Sequence, residues 1–187
     1  MASDRVVTVP NLLSLLRLVL AIVFFVAVER GLPVAAFWLF TIGASTDWVD
    51  GWYARRFDAV SRLGRIFDPL VDKVIVCGAY VLLAARGTAI APWMAVVVIV
   101  RELMVTAIRA EMEKSGRDFS AALSGKLKMV LQCLAIGLVL AGRAWPELEP
   151  GGLAIGRLAT WVSWAAVIAT IWSGLEYLVA ARVLVRR

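Results

Sequence analysis

Four aspartates, Asp47, Asp50, Asp68 and Asp72, stand within twenty-six residues of a chain otherwise built from apolar runs. Carboxylates at or near membrane depth are costly, and they mark ion, proton or substrate sites. Asp47 and Asp50 are spaced i,i+3, and Asp68 and Asp72 i,i+4. On helices, each pair shares one face with Cβ atoms roughly 5–6 Å apart. Four converging carboxylates repel one another unless cations intervene. Two divalent ions about 3.5–4 Å apart, bridged by carboxylates, would offset that repulsion and suit phosphoryl transfer. The chain has no His, and Cys77 and Cys133 lie in apolar runs without zinc or redox spacing. Oxygen-only ligands favour Mg²⁺, Mn²⁺ or Ca²⁺ over zinc. With no imidazole available, a carboxylate is the candidate general base.

Other readings compete with the metal site. Asp68-Pro69 resembles a helix start, Asp as N-cap and Pro in the first turn, with Asp72 favoured by the positive helix end. Asp47 and Asp50 approach the C-terminal end of an apolar run, where the dipole disfavours anions, so a cation belongs beside them. Arg55, Arg56 or Arg62 could supply it in a purely structural ion-pair network. A divalent-cation transporter would also use intramembrane carboxylates. It would have no use for Gly51, Ala54, Arg55 and Gly64, and it calls for acidic residues at several depths. Gly51, Ala54 and Gly64 leave room for a close approach, although small residues also serve helix packing. Arg55 offers a planar fork suited to phosphate.

The elements that must position these residues are apolar spans. Of 187 residues, 61% are hydrophobic and the mean hydropathy is +0.84, which excludes an ordinary soluble globule. The net charge of +6 falls in short clusters between apolar runs, so it reads as membrane topology and not as a nucleic-acid surface. Six spans are expected, over roughly 12–28, 34–53, 69–85, 93–110, 129–141 and 158–180 of one catalytic domain, 1–187. The first run lacks a signal-peptide pattern and is expected to be retained. The loops after the second and fourth runs, and the tail with Arg182, Arg186 and Arg187, are basic. That bias puts both termini in the cytoplasm and both acidic pairs at the inner leaflet. The fold class is therefore an all-α integral membrane protein of six transmembrane helices.

Cations outside the motif are candidates for an anionic substrate. Glu102, Thr106 and Arg109 form an i, i+4, i+7 stripe on the fourth run. Arg101 lies deep in that run and must reach water or a partner. Arg101, Arg109 and Lys126 are candidate phosphate contacts, while Lys126 and Lys128 also fit plain interfacial anchoring. Arg17, a turn from Ser14, either snorkels to headgroups or contacts phosphate. The eight Trp residues fit an interfacial belt.

The run Asp47-x-x-Asp50-Gly51-x-x-Ala54-Arg55, then Gly64-x-x-x-Asp68-x-x-x-Asp72 after eight residues, resembles the full signature of the CDP-alcohol phosphotransferases. These are integral membrane enzymes of phospholipid synthesis. Val9 to Arg17, Phe67 to Lys73, Arg101-Glu102 with Arg109, and Gly125 to Lys128 look like the branch that makes phosphatidylglycerophosphate. The resemblance covers roughly residues 8–135; beyond Ala141 only span-forming sequence is visible. It implies that Asp47, Asp50, Asp68 and Asp72 hold two Mg²⁺ ions, with Mn²⁺ as the alternative, and that Asp72 is also the general base. Asn11, Asp50, Gly51, Ala54, Arg55, Ser61 and Gly64 would line the CDP-lipid pocket. The resemblance further implies a homodimer in the cell (inner) membrane with its site open to the cytosol. The implied substrates are CDP-diacylglycerol and sn-glycerol 3-phosphate, giving phosphatidylglycerophosphate and CMP. A cardiolipin synthase or an inositol-phosphate transferase of the same superfamily is the alternative.

Overall fold

The computed structural model describes residues 9–57, 64–114, 123–148 and 154–185, with side chains over 15–45, 70–71, 73–112, 123–147 and 154–182. Six helices follow one another: α1 (Val9–Glu29), α2 (Pro33–Phe57), α3 (Gly64–Ala85), α4 (Pro92–Lys114), α5 (Leu123–Ala144) and α6 (Ala154–Val185). A single 3-10 turn, Pro146–Leu148, stands between the last two, and no strand occurs among the described residues.

The two tight turns between helices have clear local causes. Pro33 and Pro92 occupy first helical positions, where the missing N–H is no loss. Gly31 has φ +67°, and the amides of Gly31 and Leu32 return to the carbonyls of Val28 and Ala27 at 3.1 and 2.9 Å. That is a Schellman end, for which glycine carries no Cβ penalty. Gly87, at φ +62°, ends α3 with its amide 3.1 Å from the Ala84 carbonyl, and there the Thr88 hydroxyl, not an amide, donates 2.9 Å to the Leu83 carbonyl. Arg86 ties the two turns together by donating to the Glu29 carbonyl.

Helix α1 packs on α2 and α3, α5 packs on α2, α3 and α6, and α4 packs on α3 and α6. Phe24, Phe40, Tyr80, Leu83, Met94, Ile136 and Leu140 form the apolar core between them. The polarity elsewhere is inverted. Large apolar side chains such as Val19, Ile22, Val96, Leu103, Trp161, Ile168 and Trp172 face outward, while Arg101, Glu102, Lys128, Gln132, Ser163, Thr170 and Ser173 are buried. An exterior of this kind fits lipid better than water.

Among the described residues two helices are long and apolar enough to cross a membrane, Leu123–Ala144 and Ala154–Arg182. Pro33–Ser45 and Lys73–Ala85 are shorter apolar stretches, and α4 carries Arg101, Glu102, Arg109 and Glu111 within its length. These helices and the apolar exterior describe a membrane protein.

Two local expectations are corrected. Helix α3 begins at Gly64, so Asp68 is not an N-cap; Asp68 and Asp72 are its fifth and ninth residues. Helix α2 runs on to Phe57, which leaves Asp50 two turns inside the helix and Asp47 nearly three. The end-of-helix dipole therefore bears little on either pair, because its influence fades within a turn.

Gly78 of α3 meets the Phe25 ring of α1 closely enough that a Cβ there would lie 2.3 Å from Cζ. Gly78→Ala is expected to lower stability by about 1–3 kcal/mol through overpacking. In a Phe25→Leu background the same change should turn stabilising, by up to about 1 kcal/mol of helix propensity. Denaturation of the purified protein in detergent checks that reversal of sign, and an unchanged sign would contradict the contact.

Candidate active site

The helical backbone is continuous through both acidic pairs, on α2 for Asp47 and Asp50 and on α3 for Asp68 and Asp72. The six residues 58–63 separate the two helices, so the pairs lie on consecutive helices of the chain. Gly51, Ala54 and Arg55 lie on α2, Gly64 opens α3, and Asn11 lies in the first turn of α1. The side chains of these site residues lie outside the described ones, and Ser61 lies outside them entirely.

Next to Asp72 on the chain, the described side chains form one connected polar cluster. Lys73 donates to the Thr106 hydroxyl of α4, and Thr106 donates to the Glu102 carbonyl at 2.5 Å. Helix α3 thereby carries the motif to the cationic face of α4.

Glu102 is the anion at the centre. Its Oε1 accepts from Arg101 at 3.0 Å and from the Lys128 ammonium of α5. All three residues are less than a tenth exposed. Lys128 also lies 3.4 Å from Gln132 Oε1, and Gln132 donates to the Thr170 hydroxyl of α6 at 2.9 Å. Arg101 extends to α6 as well, donating to Ser173 Oγ at 2.5 Å. Arg109 donates to the Tyr177 hydroxyl oxygen. The two guanidinium carbons lie 5.7 and 5.2 Å from the centre of the Tyr177 ring. Such cation–π contacts are worth about 0.5–2 kcal/mol each.

Charge and hydrogen bonding both leave room for an anion here. Arg101 and Lys128 pair with the Glu102 carboxylate, while Lys73 reaches α4 through Thr106 and Arg109 lies against Tyr177. The Nε atoms of Arg101 and Arg109 are buried, and neither has a hydrogen-bond partner among the described residues. Buried donors are nearly always paired, so two spare ones on neighbouring guanidiniums fit a bound oxyanion.

Arg101 and Arg109, expected to contact phosphate, are brought together. Lys126 is exposed on α5, and no described contact joins it to the cluster; Lys128 stands there instead. Arg17 is buried, not extended to the surface, and lines a cavity of about 30 Å³ with Phe40, Gly43, Ala44, Ile75, Val76, Met129 and Cys133. Sequence reasoning passed over Gln132, Thr170, Ser173 and Tyr177. A signal existed: Ser163, Thr170 and Tyr177 recur at intervals of seven within an apolar run, one stripe of a helix.

No group of three His, Cys, Asp or Glu side chains that could hold a metal occurs among the described residues. The four motif aspartates fit divalent ions by donor chemistry, being all-oxygen and anionic on two unbroken helices.

This fold and cluster define an all-helical membrane protein with a cationic polar interior beside an acidic helix pair. Residues 7–172 match the family described as CDP-alcohol phosphatidyltransferase. A Bacillus subtilis (strain 168) protein named CDP-diacylglycerol--glycerol-3-phosphate 3-phosphatidyltransferase is 34% identical over 183 residues, covering 90% of this chain and 92% of its own length. The Escherichia coli (strain K12) protein of the same name is 35% identical over 184 residues, covering 93% and 94%. The chain belongs to the CDP-alcohol phosphatidyltransferase family and is an enzyme.

The Glu102 cluster makes a stability prediction. Glu102→Leu leaves the buried Lys128 without its carboxylate and should cost about 3–5 kcal/mol. Adding Lys128→Met should restore at least half of that loss. Equal denaturation midpoints for wild type and Glu102→Leu would rule out the buried pair.

Proposed function

We propose that the protein transfers the phosphatidyl group of CDP-diacylglycerol to sn-glycerol 3-phosphate, releasing CMP and forming phosphatidylglycerophosphate. The observation that carries the acceptor is the cationic cluster beside Asp72: a small phosphorylated alcohol needs a positive pocket within reach of the base. A lipid acceptor such as phosphatidylglycerol would need a second apolar groove there, and Lys73, Arg101 and Arg109 make the place cationic. The names of the bacterial relatives support the same pair of substrates.

Asp47, Asp50, Asp68 and Asp72 would hold two Mg²⁺ ions, with Mn²⁺ as the alternative. Ions bound there supply neutralisation of charge on the pyrophosphate and on departing CMP. Asp72 accepts the proton of the acceptor hydroxyl as its oxygen bonds to the phosphorus bearing diacylglycerol. The bond from that phosphorus to the oxygen of CMP breaks, and CMP leaves with the electron pair. Arg109 and Lys73 hold the acceptor's phosphate through charge-assisted hydrogen bonds. Arg101, already committed to Glu102 and Ser173, shapes the pocket and keeps its Nε without a partner among the described residues. Gly51, Ala54, Arg55, Ser61, Gly64 and Asn11 make the pocket for the CDP-lipid, and Lys126 draws the anionic acceptor to the entrance. The working enzyme crosses the cell (inner) membrane six times, with both termini and the site at the cytoplasmic face, as a homodimer.

Purified protein with Mg²⁺ and CDP-diacylglycerol is expected to release CMP with sn-glycerol 3-phosphate, and far more slowly with phosphatidylglycerol or inositol phosphate. Preference for either of the latter would overturn the acceptor assignment. Asp72→Asn should lower turnover by at least about a hundredfold, the scale of a lost general base, while CDP-lipid still binds. Loss of binding together with turnover would make Asp72 chiefly a metal ligand.

A further inference from the structure

The family match ends at residue 172, one residue before α6 reaches the arginines. Ser173, Gly174 and Tyr177 are fully or almost fully buried on the face of α6 turned to α4. A Cβ on Gly174 would lie 3.3 Å from Arg101 Cγ and 3.5 Å from Met104 Cε, so the arginine stem lies tightly against the α6 backbone. Tyr177 then does two things at once. Its ring lies beside both guanidiniums, and its oxygen accepts from one nitrogen of Arg109.

A guanidinium held in this manner keeps little rotational freedom. Arginine carries much side-chain entropy, and an oxyanion that finds the fork already oriented loses less on binding. With Nη2 engaged by Tyr177, Arg109 has its Nε without a partner among the described residues. An oxyanion can be gripped from that side of the fork. The Tyr177 ring lies beside both guanidiniums, 5.7 and 5.2 Å from centroid to carbon, and brings no negative charge of its own. A carboxylate in the same place would cancel the charge intended for the substrate.

We infer that Tyr177 is a positioning residue for the acceptor: it sets the Arg109 guanidinium, beside Arg101, to take the phosphate of the incoming alcohol. The inference rests on the acceptor reading given above and assigns Tyr177 no contact with the reacting atoms. It distinguishes the ring, which holds two cations, from the hydroxyl, which fixes one.

The test uses full-length protein in detergent or proteoliposomes with Tyr177→Phe, Tyr177→Leu and Arg109→Lys. Tyr177→Phe should raise KM for sn-glycerol 3-phosphate about tenfold, the scale of one hydrogen bond to a charged group. Tyr177→Leu should raise it by about a further three- to tenfold on loss of the cation–π contacts. KM for CDP-diacylglycerol, kcat and the melting temperature of Tyr177→Phe should stay within about twofold or a few degrees of wild type, as expected where the ring and its packing remain. In the Arg109→Lys background Tyr177→Phe should add less than about twofold, because the two act as one unit. A structural role would move both KM values and the melting temperature together, and that result overturns the inference, as does an unchanged acceptor KM in Tyr177→Phe. Thermal stabilisation by sn-glycerol 3-phosphate and by inorganic phosphate provides a readout without turnover. Wild type should be half-stabilised at about a tenth of the ligand concentration that Tyr177→Phe needs. If wild type releases no CMP with sn-glycerol 3-phosphate yet shows that difference, the proposed reaction falls and the positioning role stands. If the two proteins bind alike, the positioning role falls.

Discussion

Glu102 receives Arg101 and the Lys128 ammonium on one carboxylate oxygen, among helices whose described outer faces carry many exposed valines, leucines, isoleucines and tryptophans. Each of the three charges would be costly alone in such surroundings, and together they fix the relation of α4 to α5. The same arginine continues to Ser173 and the same lysine to Gln132, whose amide reaches Thr170, so α6 is bound into the arrangement on two levels. A network of this kind is demanding, since every unmet group inside it counts heavily. Within this network the Nε donors of Arg101 and Arg109 have no partner among the described residues.

Helix α3 links this polar half to the acidic motif. One stretch of it presents Asp68 and Asp72, the next residue is Lys73, and its remaining turns enter the aromatic and aliphatic core with Val76, Ala79, Tyr80 and Leu83. Acid, cation and core succeed one another along a single rod. The spacing of Asp72 from Lys73 is thus set by one unbroken helical backbone.

The helical class and the family were legible because they depend on composition and short-range spacing. The helix limits were less so. Charged ends such as Arg55 and Lys114 are invisible to a hydropathy reading, and the structure extends α2 and α4 through them. The ordinary helix-start explanation of Asp68 came from Pro69, yet four residues of helix precede that aspartate. Arg101 and Arg109 could be picked as candidates because arginine in an apolar run needs a reason. Lys128 could not be told from Lys126 by type or neighbourhood, and only packing buries one and exposes the other. Ser173 and Tyr177 stand in a run that reads as span alone, and their roles depend on arginines sixty-eight or more residues away.

The hydroxyls of α6 bear on how such a protein is put together. Ser163 donates to the Ala159 carbonyl at 2.7 Å and Thr170 to the Ala166 carbonyl at 2.6 Å, each within the helix itself. A newly made α6 can therefore enter lipid with these donors already satisfied, asking nothing of its neighbours. Thr170 keeps its oxygen as an acceptor for Gln132 when α5 arrives beside it. Lys128 and Glu102 can neutralise one another between α4 and α5 at an earlier stage. Insertion and locking thus become separable events, helices first and interhelical bonds afterwards. The contacts of Arg101 with Ser173 and of Arg109 with Tyr177 need α6 docked beside α4.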